Sequence, residues 1–303
     1  MTDDPASYST VPRLAEIAGL VHGFGGAGWS EADFLAFAAS RDLRPVIMRQ
    51  LHSDTVHRLD EAPARKLDGD ALMTNVPGLL LVIRTADCLP VFLVDAKNRA
   101  AAAIHCGWRG TEKRILEKAA EAMGRAYGSE PGAMLAALGP CIGPACYEVG
   151  PEVREGFRRA GFPPSVFIEY QERGHVPEGH VPKRQRGTRT VSPEAEHIPE
   201  SQERGTRPKG PLPGPLGHVP ESGPRVPAPL APAVLAESPG RAGKSLLDLR
   251  TANIWLLGRL GLKKKNILDP GSACSHCEPH LLSYRRDPGD SRRMYNFIGF
   301  TPL

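Results

Sequence analysis

From Gln171 to Ser245 the chain runs for 75 residues without one Phe, Trp or Tyr, yet this stretch holds 14 of the 30 prolines and 10 of the 32 glycines. Such a segment cannot bury enough apolar surface to offset the entropy lost on ordering. Any core must therefore be assembled from the chain on either side of it. The stretch also repeats itself: Gly174-His175-Val176-Pro177-Glu178 returns at Gly217–Glu221, and Gln171-Glu172-Arg173-Gly174 returns at Gln202–Gly205. These repeats are too short and too rich in proline for a solenoid. They read as a disordered, partly polyproline-like insert in a surface loop, tolerated at modest entropic cost. Its 11 Lys and Arg against 8 Asp and Glu account for three of the four net positive charges, so the rest of the chain is nearly neutral. That balance excludes the concentrated basic face of a nucleic-acid binder. The insert's histidines (His175, His180, His197 and His218) each precede Val-Pro or Ile-Pro and read as repeat positions rather than metal ligands. Proline-rich segments dock in aromatic grooves, so a protein partner for the insert is an expectation.

The flanks are globular in pattern, and an apolar fraction of 41% over 303 residues suffices for a core. Leu79–Arg84, Pro90–Val94 and Arg99–Ile104 are short apolar runs separated by turn residues, the signature of buried strands. Met134–Leu138 reads as a further strand. Thr111–Tyr127 predicts a helix capped by Thr111, with Ile115, Leu116, Ala119, Ala120 and Met123 on one face. Ser30, with Asp33 three residues on, predicts a helix start. Ser245-Leu246-Leu247-Asp248 has the form of a capping box and predicts a helix to about Leu260, ended by Gly261. Interleaved strands and helices give an α+β (mixed α/β) fold, with layered mixed sheets covered by helices. Residues 1–170 and 246–303 are expected to form one catalytic domain, interrupted by the insert at 171–245. No window approaches 18 apolar residues, so no membrane span is expected. Met1-Thr2-Asp3-Asp4-Pro5 lacks a basic-then-apolar leader, so the expected location is the cytoplasm. There the six cysteines are expected to be thiols or metal ligands rather than disulfides.

Two motifs invite over-reading. Gly23-Phe24-Gly25-Gly26-Ala27-Gly28 fits the G-x-G-x-x-G pattern, but a dinucleotide site needs a strong strand before it and a helix start on the pyrophosphate. Here the helix starts beyond the glycines, and an ordinary glycine turn is expected. Cys274-Ser275-His276-Cys277 with His280 uses the vocabulary of zinc ligands. Four ligands from seven residues is geometrically tight, so buried thiols near a strand end are the expectation. His276-Cys277-Glu278 also matches the H-x-E of nucleobase deaminases, without their downstream P-C-x-x-C.

A more specific constellation lies in Arg49-Gln50-Leu51-His52, Thr85-Ala86-Asp87-Cys88-Leu89-Pro90 and Ile104-His105-Cys106-Gly107-Trp108-Arg109-Gly110. Singly, each has an ordinary explanation: a satisfied histidine, a buried thiol, a strand-to-helix turn. Together they put Cys88 and His105 at the ends of successive buried strands, where functional groups are rigidly held. Spacing alone leaves a metal site and the ordinary explanations open.

These segments, with Asp68-Gly69-Asp70-Ala71 and Thr74, Gly139-Pro140-Cys141-Ile142-Gly143 and Ser283-Tyr284-Arg285-Arg286-Asp287, resemble the YfiH-type family. That family is also called the laccase-domain or multicopper polyphenol oxidase family. The similarity runs from about Val21 to Phe167 and resumes from about Leu246 to Ile298. Ser53 and Cys106 depart from the family's usual Gly and Ala, and the early glycine turn lacks a common arginine. The resemblance implies one zinc held by His52, Cys88 and His105, which are then also the catalytic residues. Gln50, Arg109 and Arg285 are the expected substrate contacts, with Arg286 beside them.

Three protein ligands would leave a tetrahedral zinc one open position, the mark of a catalytic site. The resemblance further implies a purine nucleoside phosphorylase acting on adenosine, inosine, guanosine and methylthioadenosine, with adenosine deaminase activity. Phosphate is expected at Arg109 and the helix start at Thr111. The alternatives are an amide hydrolase of peptidoglycan editing with Cys88 as nucleophile and His105 as base, and a copper-dependent polyphenol oxidase. Copper binds such ligands more tightly than zinc, but a multinuclear copper cluster needs H-x-H pairs, which the chain lacks.

Overall fold

The apolar runs become strands because both of their faces are covered. The computed structural model describes residues 8–168, 243–269 and 273–302; most of the expected insert lies outside them. The first half holds β1 (Tyr8–Ser9), α1 (Pro12–Ala15), β2 (Leu20–Gly25), α2 (Glu31–Ala39), β3 (Arg44–Ile47), β4 (Val56–Arg58), β5 (Ala71–Thr74), β6 (Leu79–Thr85), β7 (Leu89–Asp95) and β8 (Ala100–Cys106). Then come α3 (Trp108–Glu112), α4 (Ile115–Tyr127), β9 (Leu135–Leu138), β10 (Glu148–Val149), α5 (Pro151–Arg159), β11 (Phe167–Ile168), β12 (Ser245–Leu247), α6 (Leu249–Arg259), β13 (Ile267–Leu268) and β14 (Met294–Phe300).

A five-stranded sheet runs β1-β2-β14-β6-β3 and a six-stranded sheet runs β13-β9-β7-β8-β5-β4, both with mixed strand directions. Period-two alternation sorts each strand between two cores. Leu79, Leu81 and Ile83 of β6 meet Phe92, Val94, Ala101 and Ala103 of the other sheet, and Phe24 stacks on Phe92 at 4.6 Å. Leu80 and Val82 face the opposite way, onto Phe34 and Ala38 of α2 and Phe297. On the far side of the second sheet, Val91, Leu93, Ala102 and Ile104 pack on Ile115, Leu116, Ala119 and Met123 of α4 and on Leu256 and Leu257 of α6. The order is thus helix, sheet, sheet, helices, a mixed α/β architecture as expected. Strands buried on both faces read as unbroken apolar runs, which is how β6, β7 and β8 appear in the sequence. Among the described residues no helix is long and apolar enough to cross a membrane.

Three local expectations need correction. No single helix spans Thr111–Tyr127: Thr111 lies inside α3, and Arg114 at φ 61° breaks the chain before α4. The break is held by Arg114, whose guanidinium bonds Glu117 and the Ala160 carbonyl, and by buried Thr111, which accepts from Asn253 Nδ2 at 3.1 Å. Ser245 does not cap a helix. It pairs with Val149 in β12, a strand between β10 and β11, and Asp248 is the cap, accepting from Thr251 N–H at 2.9 Å. The expected insert boundary at Ser245 therefore falls inside an ordered strand. Finally, Gly23 and Gly25 form no turn but belong to β2. A Cβ on Gly23 would lie 2.5 Å from the Phe297 ring, and one on Gly25 would lie 2.5 Å from the Tyr295 carbonyl oxygen. Their glycines serve the close approach of β14. The helix start at Ser30 is as expected, with the reciprocal Ser30–Asp33 capping box formed.

Candidate metal centre

The chain crosses between the two sheets at Ala86–Cys88, since β6 belongs to one sheet and β7 to the other. Asp87, at φ 88°, makes the crossing. Its carboxylate accepts from Ser275 Oγ and from Arg285 N–H, both at 2.7 Å, so the C-terminal segment is tied to the crossing point. Cys88 stands immediately before β7. In the β7–β8 register Pro90 faces His105, which brings the end of β8 beside Cys88. His52 reaches the same place from the loop after β3, with its backbone at φ 56°.

One buried carboxylate organises this loop. Asp70, fully buried ahead of β5, accepts the N–H groups of Leu51, His52 and Ser53 at 3.2, 3.1 and 2.6 Å, and the Ser53 hydroxyl at 2.6 Å. Its Oδ1 also lies 2.8 Å from Nδ1 of His105. A single side chain therefore fixes the loop of one histidine and the ring of the other. The donor atoms of His52, Cys88 and His105 all lie within 4.8 Å of one another, with Cys88 Sγ 3.8 Å from His52 Nε2. Gly107 makes room for them: a Cβ there would stand 2.9 Å from the His52 ring and 3.1 Å from Cys88 Sγ.

The electrostatics suit a cation. Burial opposes ionisation of Cys88, but the charge and hydrogen bonds of His105 and His52 outweigh it and bring the thiol down to about 6. Burial disfavours a charged His105, yet the Cys88 thiolate and the Asp70 carboxylate hold it up at about 9. Burial would raise Asp70, but hydrogen bonds from His105 and Ser53 prevail and bring it down to about 2. With Nδ1 facing Asp70, positive charge is favoured on the other ring nitrogen of His105, where a proton or a metal ion can sit. A thiolate and two imidazoles fit a borderline-soft divalent ion such as zinc, and the three residues could hold one.

The three donors lie in the wall of a cavity of about 600 Å³, a volume in the ordinary range for a small-molecule site. Trp108, Tyr147 and Tyr284 supply aromatic surface, and Arg49, Arg84, Arg285 and Arg293 supply positive charge. Gln50 also lines the cavity, but its amide pairs with the Arg84 backbone, donating to the carbonyl at 2.9 Å and accepting the N–H at 2.8 Å. Arg285 lines it too, with its guanidinium bonded to the Glu148 carbonyl at 3.2 and 3.3 Å. Arg109 is not among the lining residues; it is exposed and lies over the Trp108 ring at 4.3 Å. Arg286 is committed to the backbone, donating to the carbonyls of Ser275, His276, Glu278 and Leu281.

From sequence, Asp70 is read within a motif but given no role, and Arg84 and Arg293 are given none either. For Asp70 a signal existed, an acidic residue directly before a buried apolar strand, a placement that demands partners. For the arginines there was none, because their convergence depends on how β6 and β14 pair.

The sequence profile of the family described as multi-copper polyphenol oxidoreductase laccase matches residues 32–180 and 224–301. "Purine nucleoside phosphorylase YfiH" of Shigella flexneri is 37% identical over 131 residues, which are 43% of this chain and 52% of that protein. "Adenosine deaminase RL5", from an unknown prokaryotic organism, is 40% identical over 138 residues, 42% of this chain and 52% of that one. The matched stretch thus spans about half the length of these curated relatives. The crystal structure of the Bacillus licheniformis hypothetical protein YfiH superposes with a TM-score of 0.69 at 21% identity, over 98% of both chains, which is a likeness of fold.

Proposed function

The chain belongs to the multi-copper polyphenol oxidoreductase laccase family, and on that premise we propose that it is a zinc-dependent purine nucleoside phosphorylase with adenosine deaminase activity. Its proposed substrates are adenosine, inosine, guanosine and methylthioadenosine. The observation that carries the reading is the joining of His52, Cys88 and His105 with aromatic and arginine side chains in one cavity. The names of the relatives supply the reaction class.

Bound by the three donors, zinc would supply Lewis acidity and water activated near neutral pH. The protein's own groups do the rest. Trp108, Tyr147 and Tyr284 offer faces on which a purine can stack. Arg84, Arg285 and Arg293, all in the cavity wall, attract a phosphate dianion. In phosphorolysis a phosphate oxygen bonds to the sugar C1′ as the bond to the purine nitrogen breaks, and that electron pair leaves with the base. Fixed positive charge near the phosphate holds the nucleophile in line. Asp70 keeps His105 and the His52 loop in place throughout. Phosphate is assigned to the cavity arginines rather than to Arg109, because no helix begins at Thr111 and Arg109 lies outside the lining.

The contact between Cys88 and the two histidines favours a second reading, amide hydrolysis of a UDP-muramyl precursor with Cys88 as nucleophile. A multinuclear copper oxidase is poorly supported, since the other candidate donor group among the described residues, Cys146, His276 and Cys277, holds a single histidine. The deciding experiment is adenosine turnover by metal-quantified protein, with and without phosphate, beside Cys88→Ala. Phosphate-dependent adenine release that follows zinc content and disappears in the variant supports the proposal. Absence of both base release and inosine overturns it, and metal-free activity lost on thiol alkylation supports the hydrolase.

A further inference from the structure

The Cys-x-x-Cys segment is expected from sequence to hold buried thiols, but the structure brings it a distant partner. Cys146, in the 3-10 turn Pro144–Cys146, has its Sγ 3.4 Å from Sγ of Cys277, 131 residues away in sequence. A ring nitrogen of His276 joins them, and these donor atoms all lie within 4.8 Å of one another. Cys274, three residues before Cys277, lies near both thiols without joining that 4.8 Å group, and its Sγ accepts the Gly143 N–H at 3.1 Å. The N–H groups of Cys277 and Glu278 donate to the Cys274 carbonyl at 3.0 and 2.9 Å, closing the tight turn that two cysteines three apart require to face one centre.

A simple apolar role does not account for this group. Cys146, His276 and Cys277 are half-buried and belong to none of the hydrophobic clusters. Nδ1 of His276 is buried with no hydrogen-bond partner, which costs free energy unless something occupies its lone pair or its proton. Two or three sulfurs and one imidazole nitrogen form the donor set of a closed structural zinc site, in which sulfur sits about 2.3 Å from the ion. Backbone N–H donation to a ligand sulfur is the outer-shell support such sites use.

We propose that Cys146, His276 and Cys277, completed by Cys274, bind a second metal ion, a structural zinc distinct from the one at His52, Cys88 and His105. Bonds form from the thiolate sulfurs and one imidazole nitrogen to the ion, the thiol protons pass to solvent, and nothing is oxidised or reduced. The ion joins two segments that both reach the cavity. Tyr147 follows Cys146 directly, while Tyr284 and Arg285 follow the Cys277 turn, which Arg286 pins through four carbonyls. It thus staples the part of the wall that precedes residue 169 to the part that follows residue 242, independently of the reaction the cavity performs.

The test uses the full chain with the first site removed, His52→Ala/Cys88→Ala, grown with zinc and dialysed against a weak chelator. About one zinc per chain is expected, with a first shell dominated by sulfur in X-ray absorption and an imidazole contribution. Adding Cys277→Ser should remove at least about nine-tenths of that zinc. An unchanged zinc content in the triple variant overturns the proposal, as does a nitrogen- and oxygen-only shell. So does a Cys146–Cys277 disulfide found by peptide mapping of protein purified without air. Should Cys277→Ser fail to fold, the absorption spectrum and zinc release on titrating thiols with a mercurial decide the matter in the folded chain.

Discussion

Oδ1 of Asp70 lies 2.8 Å from Nδ1 of His105, with both side chains buried, and the same carboxylate accepts three consecutive backbone N–H groups around His52. The two histidines of the candidate centre are therefore set by one residue that is not itself in the donor group. Asp70→Asn keeps the shape and removes the charge. It should weaken zinc binding by about 10–100-fold, the usual cost of losing an outer-shell carboxylate. Competition with a chromophoric chelator measures this, and unchanged affinity would remove the organising role given to Asp70.

Gly107 sits at φ −72°, a conformation open to any residue, so a substitution there tests space alone. In Gly107→Ala the added methyl meets the His52 ring and Cys88 Sγ at 2.9 and 3.1 Å. Metal content should fall by about tenfold or more, while the metal-free protein stays folded and loses about 1–3 kcal/mol, the usual cost of one added methyl in packed surroundings. Inductively coupled plasma measurement beside a melting curve separates the two effects.

His22 is buried in β2 and accepts the Val11 N–H at 2.9 Å. Burial lowers its pKa from 6.5 to about 4. The unfolded chain therefore takes up a proton before the folded one does. Stability that is complete above pH 6.5 is lost as the pH falls towards about 4, by roughly 2–3 kcal/mol from this group. Urea unfolding between pH 7.5 and pH 4.5 should show the loss, and His22→Gln should show a smaller decline over the same range. Equal declines in both proteins would dismiss the assignment.

If the cavity arginines hold phosphate, Arg293→Ala should raise the phosphate KM by about tenfold, the loss of roughly 1.4 kcal/mol of charge-assisted binding. Arg109→Ala should leave it within about twofold, because that guanidinium rests on Trp108 outside the lining. The reverse ranking would restore the phosphate site expected from the sequence.

Much of the frame was legible because β6, β7 and β8 are covered on both faces and so write themselves as apolar runs. His52, Cys88 and His105 were legible through resemblance, and the structure brings the three together. What failed to show depended on pairing between remote segments. Ser245 looks like a helix cap until Val149 of β10 pairs with it. Gly23 and Gly25 look like a turn until the aromatic side chains and backbone of β14 lie across them. Asp70 becomes a hub only when the loop after β3 folds over the start of β5. Cys146 and Cys277 have no local pattern that links them.

Ile168 and Leu246 are antiparallel partners across β11 and β12. Whatever chain runs from one to the other must return to within a strand spacing, about 4.8 Å, of where it left. Such a connection imposes no demand on reach, only on closure, and closure entropy grows with the logarithm of length. The junction is consequently a natural splice point. A short hairpin turn grafted between Ile168 and Ser245 meets the same boundary condition as the 76 residues that join them in the sequence, and a folded passenger with adjacent termini would meet it equally well.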